Sequence, residues 1–458
     1  MARDENQNVI FVSILLVDED SSVDQTRATS IVFSALFLFC SILLLSSFSN
    51  ALTYVDSCRT LSVAGETYVM NVSSITSTAT CITVTGAGIT FNCNGSKIIA
   101  ANSSAGQGIS LSAGSSDSVI KNCNISVLTT GSYGIYGSAA FNNVTIKNCD
   151  TRAMLSGAGM FFRFATNSTI LDSTASNYGG GSTSSGVHLD GTTSGFNFMN
   201  VTAYTAAANI AMRVADSSYN TFTNCSFIVA AGVAGYAIQF SSAFYNNVIN
   251  STLSSSSSGF DVYLLDANDS NYFYFNGAPS VRVRFFDTST WYKVANASNG
   301  VVFSSRVGSV ATTNFTVKLL TKDLVLVEHN WLASSHYDYY LTNLSSSVLY
   351  VVYQNDSLMA SNFTNSNGTL YTFLERVAAG NGQLNFSIYG VPTVTPTPAI
   401  YAFTRPIPTV QQEDPNPYTG WFVLREFKLT TGSVGIDMYG FMIGCILLFA
   451  GFVHVSRN

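Results

Sequence analysis

Short runs of alternating apolar and polar residues recur along this chain at a nearly fixed interval. One signal is a small residue followed by alternation, as in Gly108-Ile109-Ser110-Leu111, Gly134-Ile135, Gly159-Met160-Phe161-Phe162, Gly186-Val187-His188-Leu189 and Ala237-Ile238-Gln239-Phe240. A second signal, out of phase with the first, sets an apolar residue two positions before an amide or acid. It occurs as Ile120 before Asn122, Ile146 before Asn148, Ile170 before Asp172, Phe198 before Asn200, Phe222 before Asn224 and Val248 before Asn250. Aligned on Ile109, Ile135, Met160, Val187, Ile210, Ile238 and Val262, the first signal steps by 23 to 28 residues, and the second keeps the same pace.

A constant period of this size means stacked supersecondary units, none of which can bury its apolar face alone. Period-two alternation and Ser/Thr/Asn/Gly-rich turns predict short strands, not helices. Stacked in register, the strands form parallel sheets with a spacing of roughly 4.8 Å. Ile109, Leu111, Ile120 and their equivalents then form inward stacks. Asn122, Asn148, Asp172, Asn200, Asn224 and Asn250 read as a structural ladder at a bend, with side-chain amides bonding from rung to rung.

This repeat grammar resembles the right-handed parallel β-helix proteins of the pectate-lyase-like kind, over roughly Thr67 to Gly277. The opening, Cys58-Arg-Thr-Leu through Thr80-Cys81-Ile-Thr-Val to Ile89-Thr-Phe-Asn-Cys93-Asn-Gly95, is similar to the start of β-helix surface proteins from uncultured archaea. The resemblance implies a fold and a cell-surface setting more than a reaction.

The remaining segments complete an all-β plan with terminal helices. Residues 1–51 form a leader whose apolar stretch, Ile31 to Phe48, is either a secretory signal cleaved after Ala51 or an N-terminal anchor. The β-helix is assigned to 52–277. From 278 to 390 the alternation changes (Ser280-Val-Arg-Val-Arg-Phe-Phe286, then runs separated by Asn299-Gly300 and Asn367-Gly368), which predicts an antiparallel β-sandwich capping the solenoid. A Pro/Thr-rich linker follows at 391–433. Residues 434–458 end in an apolar run long enough to span a bilayer, with Arg457 favouring a cytoplasmic tail.

Composition narrows the function. Only 10% of the 458 residues are charged, the net charge is −6, and Lys and Arg are scattered, which excludes a nucleic-acid surface. Seventeen Asn-x-Ser/Thr sequons lie between Asn71 and Asn385 and predict a glycosylated exterior. Asn200, Asn224 and Asn250 are excepted as ladder residues expected to be buried and unmodified. Among the cysteines, Cys58 and Cys81 can staple the N-terminal cap. Cys123, Cys149 and Cys225 each follow a ladder residue and share one column. The adjacent pair, Cys123 and Cys149, lies within disulfide range, whereas Cys225 is expected as a buried thiol. With four His and no CxxC, no metal or other cofactor is expected.

Pectate-lyase-like enzymes carry acidic calcium ligands or paired Asp with a basic residue, and their hydrolytic members carry Asn-Thr-Asp, Asp-Asp, Gly-His-Gly and Arg-x-Lys; none of these motifs occurs here. Counting three past each Ile109 equivalent instead predicts an outward stack of Arg163, Asp190 and Arg213. The neighbouring outward column reads Ser110, Tyr136, Phe161, His188, Ala211, Gln239 and Tyr263. Arginine forks beside Tyr136, Phe161 and His188 suit a glycan, since aromatic faces pack on sugar rings and guanidinium groups hold carboxylates. The plainer reading is a surface ion-pair stack, contributing about 0–1 kcal/mol. The expectation is a membrane-anchored cell-surface β-helix protein whose partner is a polysaccharide or surface glycoprotein. The alternatives are a lyase or hydrolase acting on acidic glycans and a purely structural envelope component. Nothing in the sequence selects an oligomeric state.

Overall fold

The computed structural model describes residues 52–388, apart from short segments at 102–105, 182–183, 208, 231, 233, 257–258, 267–269, 276–279, 287, 309–310, 332–334, 356 and 377–379. The expected leader, the linker and the C-terminal membrane helix lie outside the described residues. No helix among the described residues is long and apolar enough to cross a membrane.

The described chain is all-β, a right-handed-type solenoid of about 9 turns. One rung runs Val119–Lys121, Asn124–Val127 and Ser132–Gly137, and the next begins at Thr145–Lys147. The three strands of a rung enter three sheets of 14, 8 and 15 strands, called here the first, second and third sheet in that order. Each strand pairs in parallel with its equivalents one rung away, as Ile146 does with Ile120 and Ile170. Like residues therefore stack on like. The core consists of columns such as Phe91, Ile120, Ile146, Ile170, Phe198 and Phe222 in the first sheet, all buried.

The corner from first to second sheet is a left-handed residue, with φ of 57° at Asn122, 52° at Asn148, 47° at Asp172 and 57° at Asn200. Asn and Asp adopt this conformation more easily than other non-glycine residues. The expected ladder is present in part: Asn122 donates to Asn92 Oδ1 at 3.0 Å, Asn148 to Asn122 at 3.2 Å and Asn200 to Asp172 at 3.0 Å. The ladder thus reaches one rung further back, to Asn92. It also stands on the outside of the bend. Asn200, Asn224 and Asn250 are exposed, contrary to expectation, because a left-handed corner turns its side chain away from the core. A second, buried amide ladder went unread in the sequence. Asn220 donates to Asn246 at 3.0 Å, and Asn246 to Asn271 at 2.9 Å. Their carbonyls also accept backbone N–H groups of the preceding rung, Phe196 and Asn220.

The small residues that open each third-sheet run face the second sheet at close range. A Cβ on Gly159 would lie 2.8 Å from the Ser176 amide, and one on Gly134 would lie 2.8 Å from Thr151 Cβ, both in the second sheet. Larger side chains would force the two sheets apart.

The antiparallel strands expected after 278 are present, and they grow out of the solenoid's own sheets. Ser280–Phe285 and Tyr292–Ala295 still pair in parallel with the solenoid, and the later strands prolong the first and third sheets in antiparallel fashion. The second sheet stops at Thr252–Ser254, so only two layers continue, meeting across Phe303, Phe315 and Phe386. The disulfides are Cys58–Cys81, as expected, and Cys93–Cys123 in place of Cys123–Cys149. The corner after Asn92 is two residues longer than the next one, which brings Cys93 within 4.8 Å (Cα–Cα) of Cys123, and a thiol flanked on both sides can bond only one neighbour. Cys149 and Cys225 are buried free thiols.

Gly159→Val should destabilise the fold by about 3 kcal/mol, the cost of overpacking against unyielding backbone. Gly180→Ala, whose added Cβ meets nothing within 4 Å, should leave the denaturant midpoint unchanged; equal effects would contradict the close approach of the sheets.

Candidate functional site

The outer face of the third sheet holds the expected aromatics, but one rung is displaced from its expected register. Phe161 pairs with Tyr136 and His188, and Arg163 with Asp190, as anticipated. Arg213 pairs with His188 and Gln239, not with Asp190. The residue matching Val187 is Met212, not Ile210. The Arg163–Asp190–Arg213 stack is therefore replaced by a column of Tyr136, Phe161, His188, Arg213, Gln239, Tyr263 and Arg284. A slip of two residues keeps every side chain on its own face of a strand, so apolar alternation could not reveal it. Spacing could have done so. With Met212 in place, the inward residues Ile109, Ile135, Met160, Val187, Met212, Ile238 and Val262 step by 26, 25, 27, 25, 26 and 24, a narrower spread than the one obtained with Ile210.

Two aromatic clusters bracket the centre of this column. In one, Tyr133 stacks on Tyr136 with centroids 4.9 Å apart, Phe161 lies 5.4 Å from Tyr136, and His188 meets Phe161 edge-on at 4.9 Å. In the other, Tyr236 stacks on Tyr263 at 4.4 Å, while the Arg284 guanidinium lies 5.4 Å from the Phe260 ring and donates to the Tyr236 hydroxyl at 3.3 Å. Arg213 and Gln239 lie between. Tyr133, Tyr236, Phe260 and Arg284 were missed because they belong to the head of the strand or to the last parallel rung, neither of which the repeat signal covered.

Alongside, Arg163 Nε lies 3.3 Å from Asp190 Oδ2, and the guanidinium packs 5.2 Å from the Phe164 ring. Phe164 has a left-handed φ of 61°, which turns its ring to the outside. Gly191 makes room for this, since a Cβ there would meet Arg163 Cγ at 2.9 Å and Phe164 Cε1 at 3.0 Å.

His188 is the unusual member. It is 6% exposed, and among the described residues its Nε2 has no hydrogen-bond partner. The Ser185 hydroxyl on the same strand is likewise buried without one. Burial, and after it the nearby charges of Arg213 and Arg163, lower the His188 pKa to about 3. The imidazole is thus neutral at physiological pH, with one ring nitrogen left buried and unpartnered. The Tyr133 pKa is raised by burial, with smaller contributions from Tyr136 and Asp190. The column therefore gathers a guanidinium, a neutral imidazole, an amide and aromatic rings on one face, with Phe161, His188, Gln239 and Tyr263 largely buried. Among the described residues no group of three or more His, Cys, Asp or Glu side chains gathers as a metal site would.

The solenoid has tailspike neighbours. It is similar to the enzymatically active domain of tailspike protein 4 of bacteriophage CBA120, with 11% identity over 74% of this chain and 61% of that chain and a TM-score of 0.28. It is similar to the full-length tailspike protein 2 of an Escherichia coli O157:H7 bacteriophage, with 7% identity over 74% and 67% and a TM-score of 0.34. A third is the tailspike of E. coli bacteriophage HK620 in complex with a pentasaccharide, with 8% identity over 77% and 89% and a TM-score of 0.22. At such scores the likeness is to a stacked β-solenoid and reaches no individual residue. No family model matches the chain, and no curated protein sequence matches it.

The His188 environment has a consequence for stability. Its folded pKa lies below its unfolded value of about 6.5, so below that pH the unfolded state binds the proton more readily. The stability tied to neutral His188 is intact above about pH 6.5 and falls as the pH drops towards 3. Between pH 7 and pH 5 the loss is about 2 kcal/mol. His188→Leu should make the urea midpoint correspondingly less sensitive over this range, and an unchanged slope would contradict the neutral, buried imidazole.

Proposed function

We propose that this is a cell-surface β-solenoid protein, anchored in the cytoplasmic membrane by its C-terminal apolar segment, which binds acidic glycans along the outer face of its third sheet. The observation that carries the reading is His188, a buried neutral imidazole with an unpartnered Nε2, beside Arg213 and between two aromatic clusters. A buried polar atom without a partner is costly, and a ligand that displaces the side chains covering Nε2 would complete its hydrogen bond. The Arg213 fork suits a sugar carboxylate. The partly exposed rings of Tyr133, Tyr136 and Tyr236 suit the apolar sides of neighbouring sugars. Arg163, Asp190 and Phe164 form a wall at one edge of this track. Asp190 is engaged by Arg163, which suits a fixed recognition surface more than proton transfer.

The test is affinity electrophoresis of the protein through gels containing polygalacturonate or a neutral glucan. Retardation is expected in the acidic gel. Arg213→Ala should weaken it roughly 10- to 100-fold, the loss of one charge-assisted contact, and Arg213→Lys should restore only part of it because the fork is lost. Because His188 is neutral over the range, affinity should stay level from pH 8 to pH 5. No retardation, or retardation that Arg213→Ala leaves unaltered, would overturn the assignment of this face.

A further inference from the structure

A different edge of the solenoid, the corner from third to first sheet, repeats its own left-handed position. Asn143, Asn167, Gly195, Tyr219 and Tyr245 occupy it on successive rungs, with φ of 56°, 50°, 68°, 60° and 56°. Asn and Gly suit this backbone, whereas a tyrosine there is strained. Strain retained against an easier residue points to a use for the side chain. Tyr219 and Tyr245 are 63% and 52% exposed, and their rings stack at 4.9 Å with 9° between planes. One face of Tyr219 is covered by Tyr245. The other looks back along the column over Gly195, which has no side chain, towards Asn167.

Asn167 begins the sequon Asn167-Ser168-Thr169 and is exposed. Its side chain leans along the column, for a Cβ on Gly195 would lie 2.4 Å from Asn167 Oδ1. Asn143, one rung earlier, also begins a sequon, but its amide is turned back to donate to Asp117 Oδ1 at 2.7 Å. Two rungs separate Asn167 from Tyr219, roughly 9.6 Å. With the amide reaching partway across, the remaining gap suits one sugar ring lying on the tyrosine face.

We propose that Asn167 is an N-glycosylation site and that its first sugar packs against Tyr219, with Gly195 as the floor. In the modification the Asn167 Nδ2 attacks the anomeric carbon of an oligosaccharide carried on a lipid phosphate. A carbon–nitrogen bond forms, the carbon–oxygen bond to the phosphate breaks, the lipid phosphate leaves, and the amide gives up one proton. The apolar face of the sugar then covers an exposed ring. The inference rests on the cell-surface reading, which brings the chain to such a donor.

Glycopeptide mapping of the protein isolated from its own cells tests the first half. Asn167 should carry sugar. Sugar at other sequons with Asn167 bare would overturn this proposal and leave the cell-surface reading standing, whereas no sugar at any sequon would overturn both. Thermal unfolding tests the second half. Thr169→Val, which removes the sequon and keeps Asn167 at its left-handed corner, should lower the midpoint by about 2 °C in the otherwise native protein and leave it unmoved in a Tyr219→Asn background, where the corner backbone is kept and the ring is gone. Equal shifts in the two backgrounds would show that the sugar does not rest on Tyr219.

Discussion

Hydrogen bonding between like positions of successive rungs is the constraint on which the rest of this molecule depends. Because each strand lies in register with the same strand one rung away, every choice of residue is made once per rung and repeated as a column. An apolar column becomes core, a column of left-handed Asn becomes a corner, and a column of Gly and Ala lets the third sheet approach the second. Where the second sheet ends after Ser254, the small-residue column ends too. Asp261 takes the next place, accepting from Ser255 and from the Arg282 backbone, and the two remaining sheets continue as antiparallel strands.

The same rule decides which side chains meet on the outer columns. A side chain on the third sheet has its neighbours set by rung spacing, so Phe161, His188 and Arg213 meet although about 25 residues separate each from the next in sequence. The barrier to solvating His188 comes from its packing within the column and against Phe161. Burial holds the imidazole neutral, and the charges of the two arginines nearby act in the same direction.

Much of this was legible in the sequence. The repeat period specified a parallel solenoid, and the residue after each first-sheet strand was correctly read as a bend. What stayed hidden was information that a period of two does not carry. Ile210 and Met212 both point inward, and only the evenness of rung lengths distinguishes them. Cys93 escaped the cysteine column because the corner after Asn92 is two residues longer than the later ones, so a fixed offset from the first-sheet strand does not reach it. The exposure of Asn200, Asn224 and Asn250 depends on the handedness of the corner, and an amide suits a buried bend and an exposed one equally well. The strands after Ser280 were recognised as strands, but a pattern of alternation does not say whether a strand opens a new sheet or prolongs an old one.

The register at Arg213 decides which residues form the proposed binding face, and paired cysteine substitution measures it directly. In a background with Cys149 and Cys225 replaced by serine, His188→Cys with Arg213→Cys should form a disulfide detectable by mass spectrometry after proteolysis. Adjacent rungs put those two positions side by side at a separation, roughly 4.8 Å, that a disulfide spans. Asp190→Cys with Arg213→Cys should remain reduced under the same oxidation. The reverse pattern, a bridge to position 190 and none to 188, would restore the Arg163–Asp190–Arg213 stack and contradict the site described here.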